Sequence, residues 1–319
     1  MMVDLAAAYT FAWRHAPKVP EPVLRAVFDL AADVAWLRRG AGVRRLEANY
    51  ARVRPDLDDR AVRRLAREGM RRYLRYFREA FTLQGATPEQ LDARVRVEGL
   101  EHVIAITDDG GSASLALAHL GNWDLAGAWA SPRLAPVLTV AERLKPPELF
   151  EQFVEFRGSL GIDVLPLGDD GVFRNLVRGA EHGPRILPLL SDRDLTAQGV
   201  EVDLRGHRAR VAGGPAALAV AAKVPLLPVG IRHERLTGER RRRAGTPWGI
   251  VIRFFPPVGP PDDGSRRAQV EQLTQAWVDV LGEYIARHTA DWHMLQSVFV
   301  ADLDPERYAR TRAAAGEGR

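Results

Sequence analysis

His119 and Asp124 stand five residues apart in the stretch "LAHLGNWDLAG", and those residue types at that spacing suit proton chemistry. A histidine with a pKa near neutrality is the usual general base for a hydroxyl group. Of the eight histidines in the chain, only His119 has an aspartate five positions on. Were both residues helical, that step would set them roughly 140° apart around the axis. A strand ending at His119, a turn at Gly121 and Asn122, and a helix opening near Asp124 instead direct both side chains into one crevice. A carboxylate in the first helical turn also ionises readily, because the helix dipole favours anions there. "GGSAS" at Gly110 to Ser114 fails the G-x-S-x-G pattern of a serine nucleophile, since Ser114 occupies the last glycine position. Cysteine is absent, which removes thiol nucleophiles, disulfides, cysteine-ligated zinc and iron–sulfur clusters. Direct attack by a substrate hydroxyl, deprotonated by His119, is the simplest chemistry left.

Other groups can converge on that corner. Asp192, Arg193 and Asp194 follow the apolar run "RILPLL". If that run is a strand beside the one ending at His119, Asp192 reaches the far nitrogen of the imidazole and fixes its tautomer. The set His119, Asp124, Asp192 and Asp194 could alternatively ligate a divalent metal, although no second histidine lies near in sequence. "AGGPAALA" places Gly213 and Gly214 before Pro215, a favoured first helical residue, and free amides there could hold an anion or a developing oxyanion. "AERLKPPELFEQFVEFRGSLG" carries Glu142, Arg143, Lys145 and Arg157. Arg157 suits a phosphate or carboxylate partner. Leu149, Phe150, Phe153 and Phe156 read first as core, though Phe150 and Phe153 could line a groove for an apolar chain. Neither a G-x-x-x-x-G-K-[ST] loop nor a G-x-G-x-x-G fingerprint occurs, so nucleotide hydrolysis and Rossmann redox chemistry lose support.

The elements that must position these residues follow from hydrophobic period. Over the first hundred residues the apolar spacing is helical. Val23, Val27, Leu30, Val34 and Leu37 recur at three- and four-residue steps and mark one helix, entered at Pro20 and Pro22. A longer helix spans Asp58 to Phe81, with Val62, Leu65, Met70, Tyr73, Phe77 and Phe81 on one face. Its other face carries Arg60, Arg63, Arg64, Arg67, Arg71, Arg72, Arg75 and Arg78, either a solvated face or a surface for anionic lipid head groups. Tyr9, Phe11 and Trp13 add aromatic weight to the lipid reading. From Ser112 onward, strands such as "SLALA", "PVLTVA", "IDVLPL", "RILPLL", "PLLPVGI" and "GIVIRFF" alternate with helices at Pro147 to Ser159, Asp170 to Glu181 and Pro215 to Ala222. That alternation predicts an α/β fold, a largely parallel central sheet flanked by helices. "GVEVDLRGHRARV" alternates about Arg205-Gly206 as a hairpin, and a last long helix runs from about Ser265 to His288. With no linker to split it, residues 1–319 read as a single α/β domain. It comprises a helical N-terminal layer over 1–100, membrane-facing on the lipid reading of its arginine row, a sheet core over 101–300 and a polar tail over 309–319.

The chain is 46% hydrophobic and 27% charged, which places it among globular proteins. Of 45 basic residues only Lys18, Lys145 and Lys223 are lysine, a bias that suits phosphate and carboxylate ligands and also follows from genome composition alone. The absence of cysteine fits a reducing cytoplasm. No apolar run approaches the ~18–20 residues of a membrane span, and the N-terminus lacks a signal-peptide layout. Membrane contact is therefore expected to be peripheral, on the cytoplasmic face of the inner membrane. Nothing points to nucleic acid as a partner.

Four blocks together, "AHLGNWDLAGAW", "VAERLKPPELFEQFVEFRGSLGIDVLPL", "LLSDRDLTAQGVEVDLRGHRARVAGGPAALA" and "DWHMLQSVF", resemble the bacterial lauroyl/myristoyl-type lipid acyltransferases. The nearest likeness is to their phosphatidylinositol mannoside branch. The resemblance runs from "YLRYFREAF" almost to the C-terminus. It implies a membrane-associated O-acyltransferase that takes a long acyl chain from a thioester of coenzyme A or acyl carrier protein, with no cofactor beyond that donor. The acceptor would be a sugar hydroxyl of a glycolipid. It also implies His119 as base and Asp124 as its motif partner, with Asp192 where relatives carry glutamate, one methylene longer. Glu142 and Arg157 would line the donor or acceptor site, and Arg193 and Gly214 would meet substrate. The alternatives are another glycolipid or a lysophospholipid as acceptor, or a non-catalytic protein that binds anionic lipid.

Overall fold

The computed structural model describes residues 12–310 and 313, apart from 144–145, 197, 260–263 and 307. Tyr9, Phe11, Lys145 and most of the polar tail lie outside the described residues. Helices α1 (Glu21–Arg38), α2 (Ala41–Val53), α3 (Asp59–Leu83) and α4 (Pro88–Arg94) lead into strand β1 (Val95–Glu98) and helix α5 (Glu101–Thr107). The alternating part follows as β2 (Ala113–Leu117), α6 (Trp123–Ala130), β3 (Val137–Glu142), α7 (Pro147–Ser159), β4 (Ile162–Leu167), α8 (Val172–Glu181) and β5 (Ile186–Leu190). The hairpin β6 (Val200–Leu204) and β7 (His207–Val211) precedes α9 (Gly214–Ala222), β8 (Leu226–Arg235), α10 (Gly238–Ala244), β9 (Trp248–Phe254) and α11 (Arg266–Arg287).

Seven strands form one sheet in the order β1-β9-β8-β2-β5-β3-β4. Pairing is parallel except between β8 and β9, so β1 and β9 run against the rest. The expected α/β class and largely parallel sheet are therefore observed. The hairpin turns at Arg205 and Gly206, which take φ of 59° and 81°. Two left-handed residues in succession match the right-handed twist of the flanking strands. One boundary differs from expectation: β1 falls within the first hundred residues, so that layer is not wholly helical. Four residues of which only Val95 is buried are too few to stand out by period against the helices before them.

The expected first helix forms, with its periodic apolar stripe on the uncovered side. Leu24, Phe28, Ala32, Ala35 and Trp36 pack inward, while Val23, Val27, Leu30 and Leu37 are exposed, Leu30 at 65% and Val27 at 56%. Helix α1 is thus apolar on both sides, and only one side has α3 to cover it. The arginine face of α3 also departs from both expectations. Arg67 and Arg71 share Asp33 of α1, Arg63 pairs with Glu47 of α2, and Arg72 reaches Asp291 at 2.6 Å. Arg78 faces Glu21 and Glu79, and Arg75 lies 3.6 Å over the Trp248 ring. Asp58 caps the helix by accepting from the Ala61 amide at 2.6 Å. These guanidiniums tie α3 to its neighbours, and the exposed members of the row are Arg60, Arg64 and the ion-paired Arg67.

Candidate active site

Strands β2 and β5 lie side by side in parallel, with Leu117 opposite Leu190. The Ser191 amide then bonds to the Leu117 carbonyl at 2.8 Å. Two residues beyond each strand, His119 and Asp192 emerge together at the carboxyl ends, where open α/β sheets bind ligands. Asp192 Oδ1 lies 2.6 Å from His119 Nδ1, and its Oδ2 accepts from the His119 backbone amide at 3.0 Å. The shorter carboxylate makes this contact without the extra methylene of glutamate. Trp292 Nε1 donates to the same Oδ2 at 2.7 Å. Asp192 is buried, while the His119 side chain keeps 37% exposure. Burial opposes the imidazolium, but the Asp192 carboxylate outweighs it and holds the His119 pKa above its ordinary value. Burial likewise opposes the Asp192 anion, and the His119 ring, the Trp292 indole and the backbone amide bring its pKa below the ordinary value. An ionised Asp192 keeps the proton on Nδ1 and leaves Nε2 with the lone pair.

The corner after β2 is built as its sequence requires. Gly121 takes φ of 59°, and a Cβ there would stand 2.9 Å from the Ile231 carbonyl oxygen of β8. Asn122 caps α6, its Oδ1 accepting from the Leu125 amide at 2.9 Å, while its Nδ2 donates to Glu79 of α3 at 2.8 Å. Asp124 follows in the first turn of α6. It does not meet the imidazole in a hydrogen bond. Its Oδ1 takes Arg157 Nε at 2.9 Å and its Oδ2 takes the Tyr76 hydroxyl at 2.7 Å. The Arg157 pKa is raised: burial lowers it, and the Asp124 carboxylate more than restores it.

Asp124, Arg157 and Trp123 line one end of an apolar cavity between α6 and the sheet. It holds about 680 Å³ of atom-free space, part of it open to solvent, walled by residues such as Leu117, Val137, Ile186 and Phe254. Trp123 stands edge-on to the His119 ring at 5.5 Å, so cavity and imidazole are neighbours. Phe150 and Phe153 do not line it. Phe153 packs instead against Trp13 at 4.8 Å, and Phe150 is buried under Arg143.

The remaining expected residues spread out. Glu142 ends β3 and is exposed, and Arg143 pairs with Asp169. Arg193 donates to the Ser297 carbonyl at 3.3 Å and lines a second, polar recess with Arg45, Arg210 and Tyr308. Gly214 opens α9 next to Ala212, whose amide bonds to the Ser191 carbonyl beside Asp192. Ser114 is buried and donates to the Pro215 carbonyl. The four-residue metal alternative does not assemble: Asp124 turns to Arg157 and Tyr76, Asp192 to His119 and Trp292, and Asp194 to the Thr196 amide. Tyr76 and Trp292 were missed as site residues, although both lie in quoted blocks, "YLRYFREAF" and "DWHMLQSVF". A hydroxyl and an indole N–H inside apolar runs were the available signal, because such groups need partners once buried.

The family model described as bacterial lipid A biosynthesis acyltransferase matches residues 3–300. A phosphatidylinositol mannoside acyltransferase from Mycolicibacterium smegmatis is 39% identical over 306 residues, 95% of this chain and 93% of the relative. One from Mycobacterium tuberculosis is 36% identical over 310 residues, 96% of this chain and 92% of its own. Among solved structures, the 1-acyl-sn-glycerophosphate (LPA) acyltransferase PlsC from Thermotoga maritima covers 82% of this chain and 96% of its own, at 16% identity and a TM-score of 0.38.

Proposed function

This chain belongs to the bacterial lipid A biosynthesis acyltransferase family and is a lipid acyltransferase of the glycolipid kind; from that premise we propose that it moves a long, palmitoyl-type acyl chain from acyl-CoA to a sugar hydroxyl of a phosphatidylinositol mannoside, with His119 as general base. The family excludes the non-catalytic lipid-binding alternative. The observation that carries the reading is the His119–Asp192 pair, with the His119 side chain partly exposed and an apolar cavity one ring away.

In this mechanism Nε2 takes the acceptor hydroxyl proton as the oxygen attacks the thioester carbonyl carbon. Asp192 stabilises the imidazolium across Nδ1. Collapse breaks the carbon–sulfur bond. The thiolate, with a pKa near ~8.5, leaves with little assistance and can take back the proton from His119. The steps call for no covalent enzyme intermediate and no metal. Arg157, held by Asp124 and Tyr76, is part of the polar lining of the cavity that would take the acyl chain. Arg72 and Tyr76 of the N-terminal layer reach into the site region, which supports reading the chain as one catalytic unit.

The exposed apolar stripe of α1 supports peripheral attachment to a membrane. No helix among the described residues is long and apolar enough to cross one. The test is purified protein with acyl-CoA, acyl carrier protein thioester, and a panel of mannosylated phosphoinositides, other glycolipids and lysophospholipids, read by mass spectrometry. We expect transfer from acyl-CoA to the mannosylated lipid and its loss in His119→Ala. Transfer to none of the acceptors, or full activity in His119→Ala, overturns the proposal.

A further inference from the structure

The segment Asp291–Trp292–His293 forms the second wall of the catalytic corner. The His293 amide bonds to the His119 carbonyl at 2.8 Å, and the Gly121 amide bonds to the Asp291 carbonyl at 3.0 Å. His293 Nε2 lies 3.0 Å from the Gly121 carbonyl oxygen. The segment is itself clamped from behind. Tyr50 donates to the Trp292 carbonyl at 2.9 Å, Asn49 donates to the Met294 and Gln296 carbonyls, and Asp291 binds both His233 and Arg72. Trp292 is fully buried, so its indole has no freedom to follow a moving partner. Its one polar atom spends its hydrogen on Asp192 Oδ2.

We propose that Trp292 is a positioning residue for acyl transfer: its indole N–H holds the outer oxygen of Asp192, so that the inner oxygen stays on Nδ1 of His119. This rests on His119 being the base. Two donors on Oδ2, the indole and the His119 amide, pin one end of the carboxylate and leave the other only the imidazole to meet. A carboxylate held by more donors is also a weaker base, so the indole limits how strongly Asp192 pulls on the imidazole proton. The other charged and titratable groups around the ring come from several elements. Arg193 follows Asp192, and His293 lies across the segment, kept neutral by burial with its pKa pushed down to about 3. Asp124 of α6, Arg157 of α7 and Tyr76 of α3 satisfy one another beyond Trp123.

Trp292→Phe keeps an aromatic ring in the same clamp and deletes the N–H. We expect the turnover number to fall about tenfold or more with the Michaelis constant for acyl-CoA nearly unchanged, since the lost interaction orients the base rather than binding substrate. The acidic limb of the kcat/KM profile moves to higher pH, by about half a unit or more, because an unshielded Asp192 favours the imidazolium more strongly. In the wild-type protein without substrate, the Trp292 indole ¹H–¹⁵N signal shifts with the same midpoint as the His119 ring signals. That reading needs no variant, so it decides the matter even if Trp292→Phe does not fold. An unmoved limb with unchanged turnover in a folded variant, or an indole signal blind to the His119 titration, overturns the role of Trp292. Activity surviving in His119→Ala would instead remove the base itself, a failure separable from this one.

Discussion

Replacing Asp192 with asparagine tests the site more sharply than removing the histidine. In the native arrangement Oδ2 accepts two hydrogen bonds, from the His119 amide and the Trp292 indole, and Oδ1 faces Nδ1. Asparagine has one oxygen, and the two donors claim it. Its NH₂ group then faces Nδ1, which must accept rather than donate. The proton moves to Nε2, and the nitrogen that should take the acceptor proton already holds one. Such a tautomer error costs on the order of 10⁴ in turnover where a histidine depends on its carboxylate, about 5 kcal/mol of barrier. The pH dependence changes as well. Asp192 is what raises the His119 pKa against burial, so without it that pKa falls, and the residual acidic limb moves to lower pH. The same pair sets a stability window. The raised His119 pKa stabilises the fold fully below its unfolded value near ~6.5, and that contribution is lost as pH rises through the folded value. The lowered Asp192 pKa stabilises it above ~3.9 and is lost as pH falls through its folded value. Wild type should therefore gain most over Asp192→Asn between about pH 4 and 6.5. The assay is initial acyl-transfer rate against pH, with thermal melting of both proteins over the same range. A folded Asp192→Asn enzyme with near-native turnover would refute the tautomer reasoning.

Asp124→Asn strands the Arg157 guanidinium in a site where only 13% of that side chain is exposed, and should cost about 3–5 kcal/mol in urea unfolding. A loss below about 1 kcal/mol would show the ion pair to be incidental. Gly121→Ala meets both a left-handed backbone and the Ile231 carbonyl, so stability should drop by about 1–3 kcal/mol with activity falling further, and an alanine variant that melts and turns over like wild type would contradict the geometry. The double substitution Val27→Glu, Leu30→Glu changes only exposed side chains of α1. It should leave the melting temperature nearly unchanged and reduce sedimentation with phosphoinositide-containing vesicles about tenfold or more; undiminished binding would dismiss α1 as the membrane contact.

Most of the sheet core was legible because its elements repeat locally. Helix α7 was expected at Pro147 to Ser159 and occupies those residues, since a proline entry and phenylalanines at helical steps leave little choice. The hairpin about Arg205-Gly206 was equally plain from period-two alternation. Helix α1 was legible as a helix but not in its facing, because a hydrophobic period reports that a face is apolar and not what covers it. Val23 through Leu37 keep the same spacing whether they meet a core or a bilayer. Leu24, Ala32 and Trp36 on the other side, facing α3, settle which of the two is inside.

The His119–Asp192 pairing divides in the same way between local and distant information. A five-residue motif draws attention to Asp124, because a short spacing can be read directly from a sequence. Asp192 is 73 residues from His119 and meets it only because β5 lies next to β2 with Leu190 opposite Leu117. Parallel neighbours are joined by crossovers, so their proximity leaves no periodic trace in either segment. The expectation that Asp192 would reach the imidazole therefore rested on one undetermined adjacency, and the sheet order supplies it. Trp292, a further hundred residues on, was harder still. Nothing in "DWHMLQSVF" states which strand ends it will close over. What the motif aspartate does is bind Arg157 and Tyr76 beside the apolar cavity. The H-x-x-x-x-D spacing thus places two contacts on one corner: the histidine joins the carboxylate across the sheet, and the aspartate joins the arginine that lines the cavity.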